Sequence, residues 1–269
     1  MIKLIAIDLD GTLLNPDGSI SRKSHSALKE AKNKGVKIVL CSGRPLAGIK
    51  PFLKELGLTD PGDYAITYNG GLVQKTDTGD VLSERILTRH DIISLYALSR
   101  KIGVPMNFID MNKVYCPDPP ADRPSLYRQI MHALPFVKAD IEQLPSDLKI
   151  NKVVYCTDQA ALDQAIRSIP AFYRSQYTMM KSRTILLEIL NKDVNKARGL
   201  QVLGSYLKIA PREMMAIGDQ ENDLAMIRYA GLGVAMGNAI MELKNDAQFV
   251  TKTNNEDGVA FAVEKFVLS

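Results

Sequence analysis

Cysteine is scarce in this chain. Cys41, Cys116 and Cys156 are odd in number, far apart and without metal-ligand spacing. That usage excludes a disulfide scaffold or a zinc site and reads as buried, reduced thiols of a cytoplasmic protein. No apolar run approaches the roughly 18–20 residues that a membrane span needs. Asp8 and Asp10 interrupt the first apolar stretch where a signal peptide would continue. An excess of one charge is also missing. The 34 Lys and Arg against 30 Asp and Glu leave +4 over 269 residues, with no basic block, so neither nucleic acid nor membrane is the expected partner. Internal repeats and low-complexity segments are absent too. His25, His90 and His132 stand in separate contexts and suggest neither a triad nor a metal centre.

What is present alternates strand and helix over the first eighty residues. Leu4-Ile5-Ala6-Ile7 is a continuous apolar run, as in a strand buried on both faces. Ser21 reads as the N-cap of a helix ending at Gly35. Residues 36–41 form a second buried strand, Pro45 and Gly57 bracket a second helix containing Pro51, and residues 64–68 form a third strand. Residues 72–74 begin a hairpin. This order predicts an α/β, doubly wound parallel sheet. Between about 84 and 188 the strands shorten and alternate: 104–109 and 113–116 pair antiparallel, a proline-rich loop (Pro117, Pro119, Pro120, Pro124) follows, a helix is expected near 126–133, and strands and a helix continue to 189. After Asp193 the α/β rhythm returns, with a helix from Lys196 and a strand at 214–217. The expectation is one α/β domain, residues 1–83 and 190–269, interrupted by an α+β domain at 84–189.

Open parallel sheets bind ligands beyond the carboxyl ends of their strands. Here three apolar strands end in Asp8, in Ser42-Gly43-Arg44 and in Asp219, so Asp8, Asp10, Ser42, Asp219, Asn222 and Asp223 can converge. Asp8 and Asp10, two residues apart, are expected on one face of a strand, where their repulsion calls for a cation. Asp8, Asp219 and Asp223 are hard oxygen donors that suit magnesium better than zinc. Ser42 with the backbone of Leu9 and Gly43 can hold phosphate oxygens, and Lys196 can supply a point charge. Ser42 could equally cap the helix that follows it. Gly231-Leu232-Gly233 precedes a strand, so it reads as a turn and not as a dinucleotide fingerprint.

Asp8-Leu9-Asp10-Gly11-Thr12, Ser42-Gly43-Arg44, Lys196 and Gly218-Asp219-Gln220-Glu221-Asn222-Asp223 resemble, in order, the four motifs of the haloacid dehalogenase-like superfamily. With Tyr68-Asn69-Gly70 and Asn255-Glu256-Asp257-Gly258, the chain is similar to its Cof-type sugar phosphatases. The resemblance implies a Rossmann-like core with an inserted C2-type cap. It makes Asp8 the nucleophile, which forms an aspartyl phosphate, and Asp10 the general acid and base. Mg²⁺ would be held by Asp8, the Asp10 carbonyl and Asp219, with Asp223 in support. Phosphate would be held by Leu9, Ser42, Gly43, Lys196 and Asn222. Ser42 stands where Thr is common, and Gln220 where a smaller residue is common; Gln220 is expected to point outward, without a role. The implied substrate is a small phosphorylated metabolite such as a sugar phosphate. Asn107, Asp110 and Lys113 are candidates in the inserted domain to read its leaving group. A phosphotransferase or mutase, and a non-catalytic phospho-acceptor module, fit the same core residues, although the second needs neither Asp10 nor an insertion.

Overall fold

β1 (Leu4–Ile7) is buried at every position, so both of its faces are covered and no polar residue alternates along it. It leads to α1 (Arg22–Asn33), whose N-cap Ser21 accepts from Ser24 N–H at 3.1 Å and whose buried face carries Ala27, Leu28 and Ala31. β2 (Lys37–Cys41), α2 (Leu46–Glu55, continuous through Pro51) and β3 (Tyr64–Thr67) complete the first βαβαβ run. β4 (Leu72–Lys75) and β5 (Val81–Glu84) then fold back antiparallel, extending the expected hairpin to a third strand. The computed structural model describes residues 1–120 and 123–269; residues 121 and 122, within the proline-rich loop, lie outside the described residues.

Residues 85–194 form a unit with its own sheet and core. It opens with α3 (Arg89–Lys101), a helix the sequence reading passed over. Its signal was present. Thr88 and Asp91 make a reciprocal capping box, and Ile92, Leu95 and Leu98 follow at helical spacing. β6 (Met106–Ile109) and β7 (Val114–Cys116) pair antiparallel, as their alternation predicts, and β8 (Phe136–Lys138) lies parallel to β7. The helix expected at 126–133 is absent. Only a 3₁₀ turn, Tyr127–Gln129, forms there. Leu126 N–H bonds to Cys156 O at 3.1 Å and the Tyr127 ring is buried, so the segment is tied to the sheet as a strap and cannot close a helical ladder. β9 (Lys152–Cys156), α4 (Gln159–Ser168), α5 (Ala171–Gln176), β10 (Tyr177–Arg183) and β11 (Leu186–Asn191) complete a six-stranded sheet ordered β10-β11-β9-β6-β7-β8. Phe108, Val153, Tyr155 and Leu187 pack its core with residues of α3 and α4.

The remaining residues rejoin the first unit, Met1–Glu84 with Asn195–Ser269. They supply α6 (Lys196–Leu207), β12 (Met214–Gly218), α7 (Leu224–Tyr229), β13 (Leu232–Ala235), α8 (Met241–Asp246), β14 (Phe249–Val250) and α9 (Gly258–Val263). The eight-stranded sheet runs β14-β13-β12-β1-β2-β3-β4-β5, parallel from β14 to β3. The central strand β1 thus pairs with β2 on one side and with β12, from the far end of the chain, on the other. Of the two glycines expected in a turn before the strand, only Gly231 precedes β13; Gly233 lies within it, paired with Ala216 of β12. No helix among the described residues is long and apolar enough to cross a membrane.

Candidate active site

Register sets the level at which functional groups leave the sheet. Ile7 lies beside Leu40 in β2 and Ile217 in β12, so Asp8, Cys41 and Gly218 come next together, followed by Ser42 and Asp219. Asp8 N–H still bonds to Ile217 O at 3.0 Å, which holds its Cα at the strand end. One ligand oxygen from each of Asp8, Asp219 and Asp223 lies within 4.8 Å of the others, and all three residues are buried.

Lys196 enters this cluster from the first turn of α6, capped by Asn195, whose side chain accepts from Arg198 N–H at 2.9 Å. The lysine is completely buried, against the ordinary habit of lysine. Its Nζ donates to Asp8 Oδ1 at 2.5 Å and to Asp223 Oδ1 at 2.6 Å. Burial alone would lower its pKa, but Asp223 and Asp8 together hold the ammonium well above the usual range. The other oxygen of Asp223 accepts from the N–H groups of Asp219 (2.9 Å) and Gln220 (3.1 Å), which fixes the turn after β12. Burial pushes Asp8 up to about 8, against the pull of Lys196 and with Asp223 and Asp219 adding to the rise. Burial also raises Asp219 to about 6, opposed by a 2.7 Å hydrogen bond from Thr12 Oγ1. The Cys41 thiol beneath the cluster is pushed up to about 12 by burial and stays neutral.

Three expectations need correction. Asp8 and Asp10 do not share a strand face. β1 stops at Ile7 and the chain coils, with Leu13 N–H bonding to Asp8 O and Leu14 N–H to Leu9 O. Asp8 therefore turns into the cluster, whereas the Asp10 side chain is 56% exposed and is gripped by the Arg44 fork, Nε to Oδ2 at 3.0 Å and Nη2 to Oδ1 at 2.5 Å. Ser42 does not cap α2. Its hydroxyl accepts from Arg44 N–H at 3.2 Å, and Pro45 occupies the cap position. Gln220 is not without a partner, since its Nε2 donates to Asp219 Oδ2 at 3.2 Å.

Ser42 is buried beside Gly43, and Asn222, half-buried, donates from Nδ2 to Asn69 Oδ1 at 3.1 Å. Leu9 is buried in the coil that follows β1. Sequence reasoning gave no role to Arg44, Thr12 or Asn69. All three stand inside motifs already quoted, and only coordinates reveal their partners. In the second unit Asp110 is spent on the β6–β7 turn, accepting from Asn112 and Lys113 N–H and from Tyr115 OH. Lys113 lies over the Tyr115 ring at 5.1 Å. Asn107 lines a cavity of about 130 Å³ with Ser125 and Arg128.

Three buried carboxylates around one ammonium leave the cluster rich in negative charge, and all its donors are hard oxygens. That composition fits a small divalent cation such as Mg²⁺.

Comparison with known proteins agrees with this arrangement. A family model described as haloacid dehalogenase-like hydrolase matches residues 5–263. The chain is 44% identical over its full length, and over the full length of the relative, to the "Putative phosphatase YxeH" of Bacillus subtilis (strain 168). A crystal structure of a haloacid dehalogenase-like hydrolase from Bacteroides thetaiotaomicron superposes with a TM-score of 0.86 at 30% identity, covering 98% of this chain and 99% of that one. The subclass IIB sugar phosphatase BT4131 superposes with a TM-score of 0.80 at 25% identity, covering 98% of each chain.

Proposed function

The chain belongs to the haloacid dehalogenase-like hydrolases, of the Cof-type phosphatase branch, and from that premise we propose that it is a magnesium-dependent phosphatase of small metabolite phosphomonoesters, sugar phosphates foremost. The observation that carries the reading is the meeting of Asp8, Lys196, Asp219 and Asp223, drawn from positions up to 215 residues apart, around one carboxylate at a strand end.

Asp8 is assigned as nucleophile. Its free carboxylate oxygen attacks phosphorus, the bond to the leaving oxygen breaks, and Asp10 gives that oxygen its proton. Asp10 then takes a proton from water, whose oxygen attacks the aspartyl phosphate. Inorganic phosphate leaves and the Asp8 carboxylate returns. The Arg44 fork takes one lone pair on each Asp10 oxygen and so orients the carboxyl, leaving a second lone pair on each for the proton it carries. Lys196 holds Asp8 in one rotamer and places positive charge where the phosphoryl oxygens gather. Ser42, Gly43, Asn222 and the Leu9 backbone are assigned to those oxygens. Asp8, Asp219 and the Asp10 carbonyl, with Asp223 behind them, would hold Mg²⁺, and the bound ion supplies charge that lowers the repulsion between phosphate and carboxylate. The inserted domain, expected over 84–189, is assigned the reading of the leaving group.

Asp8→Asn tests the reading. Hydrolysis of p-nitrophenyl phosphate with Mg²⁺ should vanish while the far-UV circular dichroism stays that of the parent. Near-normal turnover in this variant rules out the assigned nucleophile.

A further inference from the structure

The turn between β3 and β4 carries an unusual backbone. Tyr68, Asn69 and Gly70 have φ of 50°, 56° and 96°, three left-handed residues in succession, and all three are buried. Only four non-glycine residues among those described have positive φ, and two of them stand side by side here. Such a run is costly and persists where its surroundings over-determine it. Here the surroundings are the segments assigned to the phosphoryl group. Asn69 N–H bonds to Ser42 O at 2.9 Å, and Tyr68 N–H bonds to Arg44 O at 3.3 Å. A Cβ on Gly43 would lie 3.0 Å from the Asn69 amide nitrogen. On the other side Gly70 fits against the start of α6 so closely that a Cβ there would lie 2.1 Å from Asn195 O and 3.3 Å from Lys196 Cα. Asn222 reaches the turn from the third direction, through its bond to Asn69 Oδ1.

We propose that Asn69 is a positioning residue, whose side chain orients the Asn222 amide for phosphate binding without touching the reacting atoms. This rests on the phosphatase reading and deepens it. Asparagine suits the task twice over. It tolerates the left-handed backbone better than most side chains, and its carbonyl accepts one Asn222 N–H, so that amide cannot rotate without losing a part-buried bond.

Glycine takes the same backbone freely, so Asn69→Gly removes the side-chain amide and keeps the left-handed turn. Inorganic phosphate, as product inhibitor of p-nitrophenyl phosphate hydrolysis, should bind about tenfold more weakly to this variant, the scale of one lost hydrogen bond to an anion site. In an Asn222→Ala background the same substitution should change the inhibition constant by less than about twofold, because the group through which it acts is gone. A positioning role also separates the steady-state constants: KM for p-nitrophenyl phosphate should rise with the inhibition constant while kcat changes by less than about twofold. An unchanged constant in Asn69→Gly, full multiplication of the two effects in the double variant, or a fall in kcat with the inhibition constant unmoved each overturns the proposal. A parent enzyme that hydrolyses no phosphomonoester with Mg²⁺ overturns the phosphatase reading itself, which separates the two failures.

Discussion

Asp8 and Asp10 are two residues apart and share almost none of their surroundings. One is buried against Lys196, the other is open to solvent in the fork of Arg44. This contrast suits their proposed division of labour, since a nucleophile must be fixed and a proton carrier must reach both leaving group and water. Asp10→Asn removes the proton and should lower kcat/KM for alkyl phosphates by about 10²–10⁴-fold, the scale of general acid catalysis. With p-nitrophenyl phosphate, whose leaving group departs without a proton, the loss should be much smaller. Steady-state kinetics on the two esters check this, and equal losses would remove Asp10 from the acid role.

Among the elements, the tip of β12 has no room for a side chain at its last residue. A Cβ on Gly218 would stand 2.5 Å from the Cβ and Cγ of Asp223, the residue that anchors Lys196 and the following turn. Gly218→Ala should destabilise the protein by about 1–3 kcal/mol, the range for overpacking, and should also displace Asp223. Chemical denaturation with a parallel activity assay would show both effects. The strand ends themselves were legible in the sequence, because apolar runs stopping at Asp8, Ser42 and Asp219 have one arrangement in a parallel sheet. Lys196 was legible only through the order of the motifs, since nothing local marks a lysine for burial. The coil after Ile7, which separates Asp8 from Asp10, was not legible. It depends on backbone bonds from Leu13 and Leu14 and on long-range ties, Asn238 to Gly11 O and Asn254 to Leu14 O, that no short pattern encodes. The strap at Tyr127 misled for the converse reason: apolar spacing imitated a helix, while tertiary pairing with β9 decided the outcome.

For the molecule as a whole, the acidic cluster ties stability to pH. Burial raises Asp8 to about 8 and Asp219 to about 6 in the metal-free protein, both above the unfolded value of 3.8. Between those limits the folded state holds protons that the unfolded chain has released. Stability from these groups is therefore greatest in acid, falls as pH rises through the window, and levels off above the Asp8 value. Mg²⁺ binds the ionised carboxylates, so its stabilising effect should grow across the same window. Thermal melts with and without Mg²⁺, at about pH 5 and about pH 8.5, should show the larger rise in Tm at the higher pH. Asp219→Asn should abolish most of that rise and increase the Tm of the metal-free protein. A metal-induced rise that is the same at both pH values contradicts the assignment.

The place of β1 between β2 and β12 also has a consequence for biosynthesis. Residues 85–194 carry their own sheet and core, so they can collapse as soon as they leave the ribosome. The first half of the larger sheet cannot, because the partner for one edge of β1 has not yet been translated. A nascent polypeptide halted before residue 196 displays Asp8 with neither Lys196 nor β12 beside it, and the bare flank of β1 is then open to pairing with any other chain nearby.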